Sequence, residues 1–129
     1  MTTVLAQGTF DILHPGHLHY LRESASLGDE LVVVIARDSR VSDKKDIHFN
    51  EDERKKMVKA LEVVDRTVLG TEGDIYSTVE KIDPDFITLG YDQEHEKEKV
   101  KEMAENVTGR EVEVVRISGK NGYSSSKIR

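Results

Sequence analysis

The stretch from Gly8 to His17 contains the residues of this chain that are best suited to chemistry. It reads Gly-Thr-Phe-Asp-Ile-Leu-His-Pro-Gly-His and follows Val4-Leu5-Ala6-Gln7, a mainly apolar segment that predicts a short buried strand ending in a turn. Glycine in such a loop lets the backbone approach a ligand closely. His14 and His17 lie on or just before the first turn of the next predicted helix, where exposed N–H groups favour anions.

Two imidazoles in that place can donate hydrogen bonds to phosphate oxygens. Attack on an α-phosphate builds negative charge on its equatorial oxygens and on the leaving pyrophosphate, so preorganised donors there lower the barrier. Such a transfer needs no covalent nucleophile. A capping or partly buried structural histidine is the ordinary explanation for either residue alone, but their place within the full motif 8–17 favours function.

Three basic residues further along are candidates for neutralising phosphate charge. Lys44 and Lys45 lie in a charged loop after the second predicted strand, and either long side chain could enter the site or remain a solvated surface charge. Arg54 lies in the first turns of a predicted helix, where the helix dipole gives a cation no benefit. A phosphate contact and a surface ion pair with Glu51 or Asp52 are therefore both open for Arg54.

Alternating strands and helices must position these residues. Strands are predicted at 4–7, 31–36, 67–70, 86–90 and 112–115, and helices at 16–25, 75–82 and 94–106. A further helix, the second in the chain, is predicted to begin at the N-cap Asn50, with Glu53 as its capping-box partner. The second helix should bury Met57, Val58, Ala60 and Leu61. The continuous β-branched run 31–36 predicts a doubly covered strand at the centre of the sheet.

This alternation predicts an α/β chain with right-handed crossovers. The expected architecture is one Rossmann-like domain over 1–129, an open parallel sheet with helices on both faces. Ligands of such sheets bind at the carboxyl ends of the strands, near the point where strand order reverses.

Composition excludes several functional classes. The net charge is -6 and charged residues of both signs make up 34% of 129 residues, which leaves no basic face for nucleic acid. The absence of cysteine excludes disulfides, thiolate catalysis and cysteine-based zinc sites. No apolar run approaches the roughly 18 residues of a membrane span and no signal peptide is recognisable, so we expect a cytoplasmic protein without a membrane partner.

Two distant motifs carry a family resemblance. Residues 8–11 with 14–17 closely resemble the signature of the cytidylyltransferase-like nucleotidyltransferase superfamily, and Ser124-Ser125-Ser126-Lys127-Ile128 resembles its second motif, a Ser/Thr-rich turn that opens a C-terminal helix. The resemblance implies transfer of a nucleoside monophosphate from a nucleoside triphosphate to a phosphate-bearing acceptor, with release of pyrophosphate.

Roles for individual residues follow from this resemblance. His14 and His17, with Lys44 from the charged loop, are the implied catalytic residues. Thr9 and Phe10 would contact the triphosphate through their backbone, and Ser125 and Ser126 would hold its far end. The complete implied nucleotide-binding set is Thr9, Phe10, His14, Pro15, Gly16, His17, Asp92, Tyr123, Ser125 and Ser126. Asp92 can cap the following helix and contact the nucleotide at once.

Two branches of the superfamily are close in size. Ala36-Arg37-Asp38, Met57-Val58-Lys59-Ala60-Leu61 and Leu89-Gly90-Tyr91-Asp92-Gln93 resemble the archaeal FAD synthases, which adenylylate FMN, whereas the Ser-rich ending resembles the glycerol-3-phosphate cytidylyltransferases more. The leading expectation is transfer of AMP from ATP to FMN. The alternatives are transfer of CMP from CTP to glycerol 3-phosphate, and a nucleotide-binding regulatory domain without turnover.

No metal-binding cage can be read from the sequence. Magnesium keeps several waters and rides on substrate phosphates, so we expect Mg²⁺ or another divalent cation to be carried with the nucleotide. The resemblance also implies a homodimer.

Overall fold

The computed structural model describes residues 1–8, 10, 13, 15–37, 49–70, 75–90 and 96–117. In chain order the elements are β1 (Thr3–Gly8), α1 (Pro15–Ala25), β2 (Glu30–Ile35), α2 (Glu51–Lys59), β3 (Arg66–Leu69), α3 (Ile75–Ile82), β4 (Phe86–Gly90), α4 (Lys97–Thr108) and β5 (Glu113–Ile117). The strands form one parallel sheet in the order β3-β2-β1-β4-β5. None of the helices in these ranges is long and apolar enough to cross a membrane.

Two apolar layers cover the two faces of the sheet. Alternate residues of β1 enter different layers: Val4 and Ala6 belong to one cluster, and Leu5 belongs to the other. The first cluster includes Leu21 of α1, and the second includes Val79 of α3. The predicted open parallel sheet with helices on both faces is therefore confirmed.

The prediction that 31–36 forms the centre of the sheet is wrong. Five of the six residues of β2 are buried, as the β-branched run indicated, but β1 is the middle strand, with β2 and β4 on either side. A continuous apolar run indicates that both faces of a strand are covered by other elements. An inner strand next to the central one is covered in the same way.

The start of α2 confirms the predicted capping pair. Asn50 Oδ1 accepts a hydrogen bond from Glu53 N at 2.8 Å, and Glu53 Oε1 accepts one from Asn50 N at 3.0 Å. Val58 is fully buried, as predicted, but Met57 is 41% exposed and Ala60 is exposed too, so the predicted burial of these two residues is wrong. The buried residues of the helix are Arg54 and Val58, one turn apart, and Met57 falls outside their stripe.

Aspartates hold the amino edge of the sheet together. The carboxylates of Asp29, Asp65 and Asp85 accept hydrogen bonds from the backbone N–H groups of Thr2, Leu31 and Thr3, at 2.7–2.8 Å. Each carboxylate thus satisfies a donor near the start of a neighbouring strand, a group that would otherwise lack a ladder partner. This edge lies opposite the carboxyl edge, where sheets of this kind bind ligands.

Candidate active site

The strand order reverses between β1 and β4, which places the expected ligand crevice between these two strands. Their pairing covers only Val4 with Phe86 and Leu5 with Ile87. Both strands continue for three more residues, to Gly8 and Gly90, beyond this pairing. The sheet is therefore split at its carboxyl edge, at the point where the fold favours a ligand.

Phe10, two residues beyond the end of β1, packs its side chain back against that strand. Phe10 has a φ of 52°, in the left-handed region that side chains rarely adopt, and its ring is buried with 4% exposure. A Cβ added to Gly8 would lie 2.8 Å from two atoms of this ring. Glycine is required at position 8 because the aromatic ring occupies the space of a side chain there.

His17 lies on the first turn of α1 and is supported by that same ring. The rings of Phe10 and His17 meet edge to face, with centroids 5.2 Å apart at an interplanar angle of 70°. His17 as a whole is partly exposed, while its Nδ1 atom is buried. The imidazole therefore has an orientation fixed by packing, beside the N–H groups at the start of α1.

Pro15 is the first residue of α1 and is exposed, and Gly16 after it is partly exposed. A proline fits the first helical position because its missing N–H would have no partner inside the helix. Four of the expected site residues, Phe10, Pro15, Gly16 and His17, are thus brought together after β1. Thr9, His14, Lys44, Lys45, Asp92, Tyr123, Ser125 and Ser126 lie outside the described residues, and their roles stay predictions.

Arg54 is fully buried, so the surface ion pair considered for it is wrong. Its Nη1 donates to the carbonyl of Ala36 at 2.9 Å and its Nε donates to the carbonyl of Phe49 at 3.1 Å. In the sequence, Ala36 and Phe49 lie before and after residues 38–48, the segment that contains the two candidate lysines. The guanidinium thus links the described residues on both sides of that segment, and contact with a phosphate stays a prediction.

Two further arginines bind backbone carbonyls at the carboxyl edge, and sequence reasoning assigned neither of them a role. Arg37 Nε donates to the carbonyl of Gly70 after β3, and its Nη1 pairs with Glu51 at 3.1 Å. Arg116 Nη1 donates to the carbonyl of Gly90 at the end of β4, at 2.9 Å. The one sequence signal that could have indicated these arginines is their position, since each lies at the carboxyl end of a strand or just beyond it.

Among the described residues, no group of three or more histidine and acidic side chains could hold a metal ion. The cation expected to arrive with the nucleotide therefore stays a prediction.

The family model described as cytidylyltransferase-like matches residues 5–129, a range that includes both sequence motifs. The chain belongs to the cytidylyltransferase-like family. This finding confirms the family resemblance that the sequence predicted.

Family members with high identity extend over most of the chain. A Natrialba magadii protein named FAD synthase is 47% identical over 126 residues, covering 98% of this chain and 84% of the relative. A Thermoplasma volcanium FAD synthase is 49% identical over 132 residues, covering 100% of this chain and 92% of the relative. The crystal structure of a T. volcanium protein described as a lipopolysaccharide core biosynthesis protein has a TM-score of 0.86 at 50% identity, covering 93% and 98% of the two chains.

Proposed function

We propose that this protein is an FAD synthase, which transfers AMP from ATP to FMN and releases pyrophosphate. The observation that carries the proposal is near-full-length identity of 47% and 49% to proteins of that name. The site supports it because His17 lies on the first turn of α1, the helix that follows β1. In sheets of this type the phosphates of a nucleotide bind at such helix starts, near the point where strand order reverses.

The reaction is an in-line displacement at the α-phosphate of ATP. An oxygen of the FMN phosphate attacks the α-phosphorus, and the bond from that phosphorus to the oxygen bridging the α- and β-phosphates breaks. Pyrophosphate leaves with the bond's electron pair. Negative charge grows on the α-phosphate oxygens and on pyrophosphate, where His17, and His14 before it, would donate hydrogen bonds.

Phe10 supports the fixed geometry that this chemistry needs. Its left-handed backbone, with φ 52°, is stabilised by a ring that packs against Gly8 of β1 and meets His17 edge to face. We propose that Thr9 and Phe10 contact the triphosphate through their backbone while the ring holds the imidazole. Such preorganisation lowers the barrier because the donors need no rearrangement during the reaction.

The remaining contacts come from other carboxyl-edge segments. We propose that Lys44, with Lys45 as an auxiliary cation, neutralises triphosphate charge, and that Arg54 secures both ends of their loop. Asp92 would contact the nucleotide, with Tyr123 packed against it. Ser125 and Ser126 would hold the far end of the triphosphate.

We propose that Mg²⁺ or another divalent cation is carried with ATP. When bound, the cation neutralises charge on the triphosphate and on the leaving pyrophosphate. Assembly as a homodimer stays the expectation from family resemblance, and sedimentation of the protein as a monomer at assay concentration would contradict it.

The glycerol-3-phosphate cytidylyltransferase alternative is not favoured, because the full-length relatives described above carry the name FAD synthase. A regulatory domain without turnover requires that the same loop bind a nucleotide and release no pyrophosphate. Turnover is therefore the property that separates these alternatives.

The test is a pyrophosphate-release assay with magnesium, pairing ATP or CTP with FMN or glycerol 3-phosphate in all four combinations. We expect turnover with ATP and FMN, with FAD as the product. Turnover restricted to CTP and glycerol 3-phosphate would replace the proposed acceptor and nucleotide. Nucleotide binding with no pyrophosphate in any combination would contradict the assignment as an enzyme.

A further inference from the structure

Tyr20 places a buried hydroxyl inside the split between β1 and β4. The side chain comes from α1, one helical turn after His17, and the residue is 8% exposed. Its hydroxyl accepts a hydrogen bond from Gln7 N of β1 at 3.2 Å and donates one to the Thr88 carbonyl of β4 at 2.8 Å. The mechanism proposed above does not use this contact.

The Gln7 N–H and the Thr88 carbonyl are the two groups that would form the next hydrogen bond, or rung, of the parallel ladder between β1 and β4. At the observed register, in which Leu5 pairs with Ile87, Gln7 would pair with Leu89. In a parallel ladder a donating residue bonds to the carbonyl of the residue before its partner, which for Gln7 is Thr88. The Tyr20 hydroxyl takes the place of that rung and separates the two strands.

A phenol hydroxyl is suited to this position because it both accepts and donates. The hydroxyl also accepts a hydrogen bond from Thr88 Oγ1 at 3.1 Å. Its one donor and two acceptor sites therefore all have partners, which lie on both strands. A phenylalanine would fill the same space but would leave the Gln7 donor and the Thr88 acceptor to bond to each other. Buried backbone groups without partners are costly, which favours closure of the split in that variant.

The aromatic ring of Tyr20 supports Phe10. Tyr20 stacks with Phe10 at a centroid separation of 6.5 Å and an interplanar angle of 21°, and Phe10 in turn contacts His17. One side chain thus joins the two halves of the site. The hydroxyl keeps β1 and β4 apart on either side of the crevice. The ring supports Phe10, which orients His17.

We propose that Tyr20 is a positioning residue that sets the width of the nucleotide crevice through its hydroxyl and the orientation of His17 through its ring. The inference rests on the proposed function for the identity of the substrates. It goes beyond that function because it assigns effects on binding and on turnover to different parts of one buried side chain.

The first test compares Tyr20→Phe with Ser24→Ala. Ser24 is a matched control because its buried hydroxyl, one turn further along α1, contacts Thr88 Oγ1 at 2.8 Å but touches neither backbone group in the split. In Tyr20→Phe a direct hydrogen bond between Gln7 and Thr88 should form and narrow the crevice. We therefore expect the KM for ATP to rise about tenfold, while kcat changes less than about threefold. Ser24→Ala should lower the Tm to a similar extent and leave the KM near the wild-type value.

A second variant, Tyr20→Leu, separates the ring from the hydroxyl. Because it also removes the support of Phe10, we expect kcat to fall a further tenfold or so below that of Tyr20→Phe. The proposal is overturned if Tyr20→Phe and Ser24→Ala have the same KM for ATP, or if the phenylalanine and leucine variants have the same kcat.

The same variants give a readout that does not depend on turnover. The Gln7 amide proton should exchange with solvent more slowly in Tyr20→Phe than in the wild type, because a direct rung to Thr88 replaces a bond to a side chain. Equal or faster exchange, with the fold intact, would overturn the proposal. Failure of the wild type to make FAD would instead contradict the proposed function, and titration with ATP alone would then compare the variants.

Discussion

His17 is held by aromatic packing as well as by its place on a helix. Its ring meets Phe10, which fills the space that a side chain at Gly8 would take. The sequence predicted the position of His17 from the spacing of its motif. It did not predict the left-handed φ of Phe10, because that conformation depends on where the ring packs.

Replacing His17 with alanine should remove a donor to the transferring phosphate. We expect the fold to stay intact and kcat to fall roughly 10²-fold or more, the usual cost of losing such a donor. The measurement is steady-state FAD formation together with the far-UV circular dichroism spectrum. His19→Ala on the same helix is the control and should keep kcat within about twofold. Unchanged turnover in His17→Ala would rule out its assigned role.

Replacing Gly8 with alanine should displace the Phe10 ring. The new Cβ would meet two ring atoms at 2.8 Å, so the ring must shift and His17 loses its packing partner. We expect kcat to fall about tenfold or more, because small displacements at a reacting centre are costly.

Gly109→Ala is the matched control for Gly8→Ala. Gly109 has a φ of 72° with open space around it, so this change should cost about 1 kcal/mol of stability through backbone strain. Its kcat should equal that of the wild type. Equal kcat in the two glycine variants would show that Phe10 does not position His17.

Arg54 and Tyr20 show why part of the site could not be predicted at the residue scale. The sequence placed Arg54 correctly near the start of a helix but gave no sign that the carbonyls of Ala36 and Phe49 lie opposite its guanidinium. Tyr20 has the spacing of an ordinary buried residue of α1. Its contact with Thr88 of β4 spans 68 positions of the chain, and a local pattern carries no record of such a contact.

The elements themselves were largely predictable, because hydrophobic periodicity is a local signal. The predicted bounds of α3 and β4 match those observed. The helix predicted at 94–106 is α4, Lys97–Thr108, and its end was misplaced because Gly109, which closes it with a left-handed φ of 72°, was not used as a stop signal.

Asp85 ties β1, β4 and the end of α4 together at the amino edge. The Thr3 backbone N–H, and then the Arg110 guanidinium, hold the pKa of Asp85 below its usual value. Because this pKa is lower in the folded state, ionised Asp85 adds stability above the unfolded pKa of about 3.9, and that contribution disappears as the pH falls through the folded pKa.

We therefore expect Asp85→Asn to be less stable than the wild type at neutral pH. The difference in unfolding free energy should shrink as the pH is lowered from about 5 towards 2, as measured by urea titration at each pH. The kcat at neutral pH should be unchanged, because this residue lies at the edge opposite the crevice. A stability difference independent of pH would contradict the role of the ionised carboxylate.

At the scale of the whole molecule, the parallel sheet gives its two edges different tasks. Aspartates accept hydrogen bonds from strand N–H groups at the amino edge, while at the carboxyl edge arginines donate to backbone carbonyls and Phe10 packs against His17. The sequence predicted this class of sheet from the alternation of elements. It misplaced the central strand because burial on both faces does not distinguish β1 from β2.

The most direct test of AMP transfer follows the oxygen atoms of the acceptor. FMN labelled with ¹⁸O in its phosphate is incubated with the wild-type protein, ATP and magnesium, and FAD and pyrophosphate are analysed by mass spectrometry. Attack by an FMN oxygen on the α-phosphorus predicts FAD that keeps all of the label and pyrophosphate that carries none. Label in pyrophosphate, or no FAD at all, would contradict transfer of AMP to FMN by this protein.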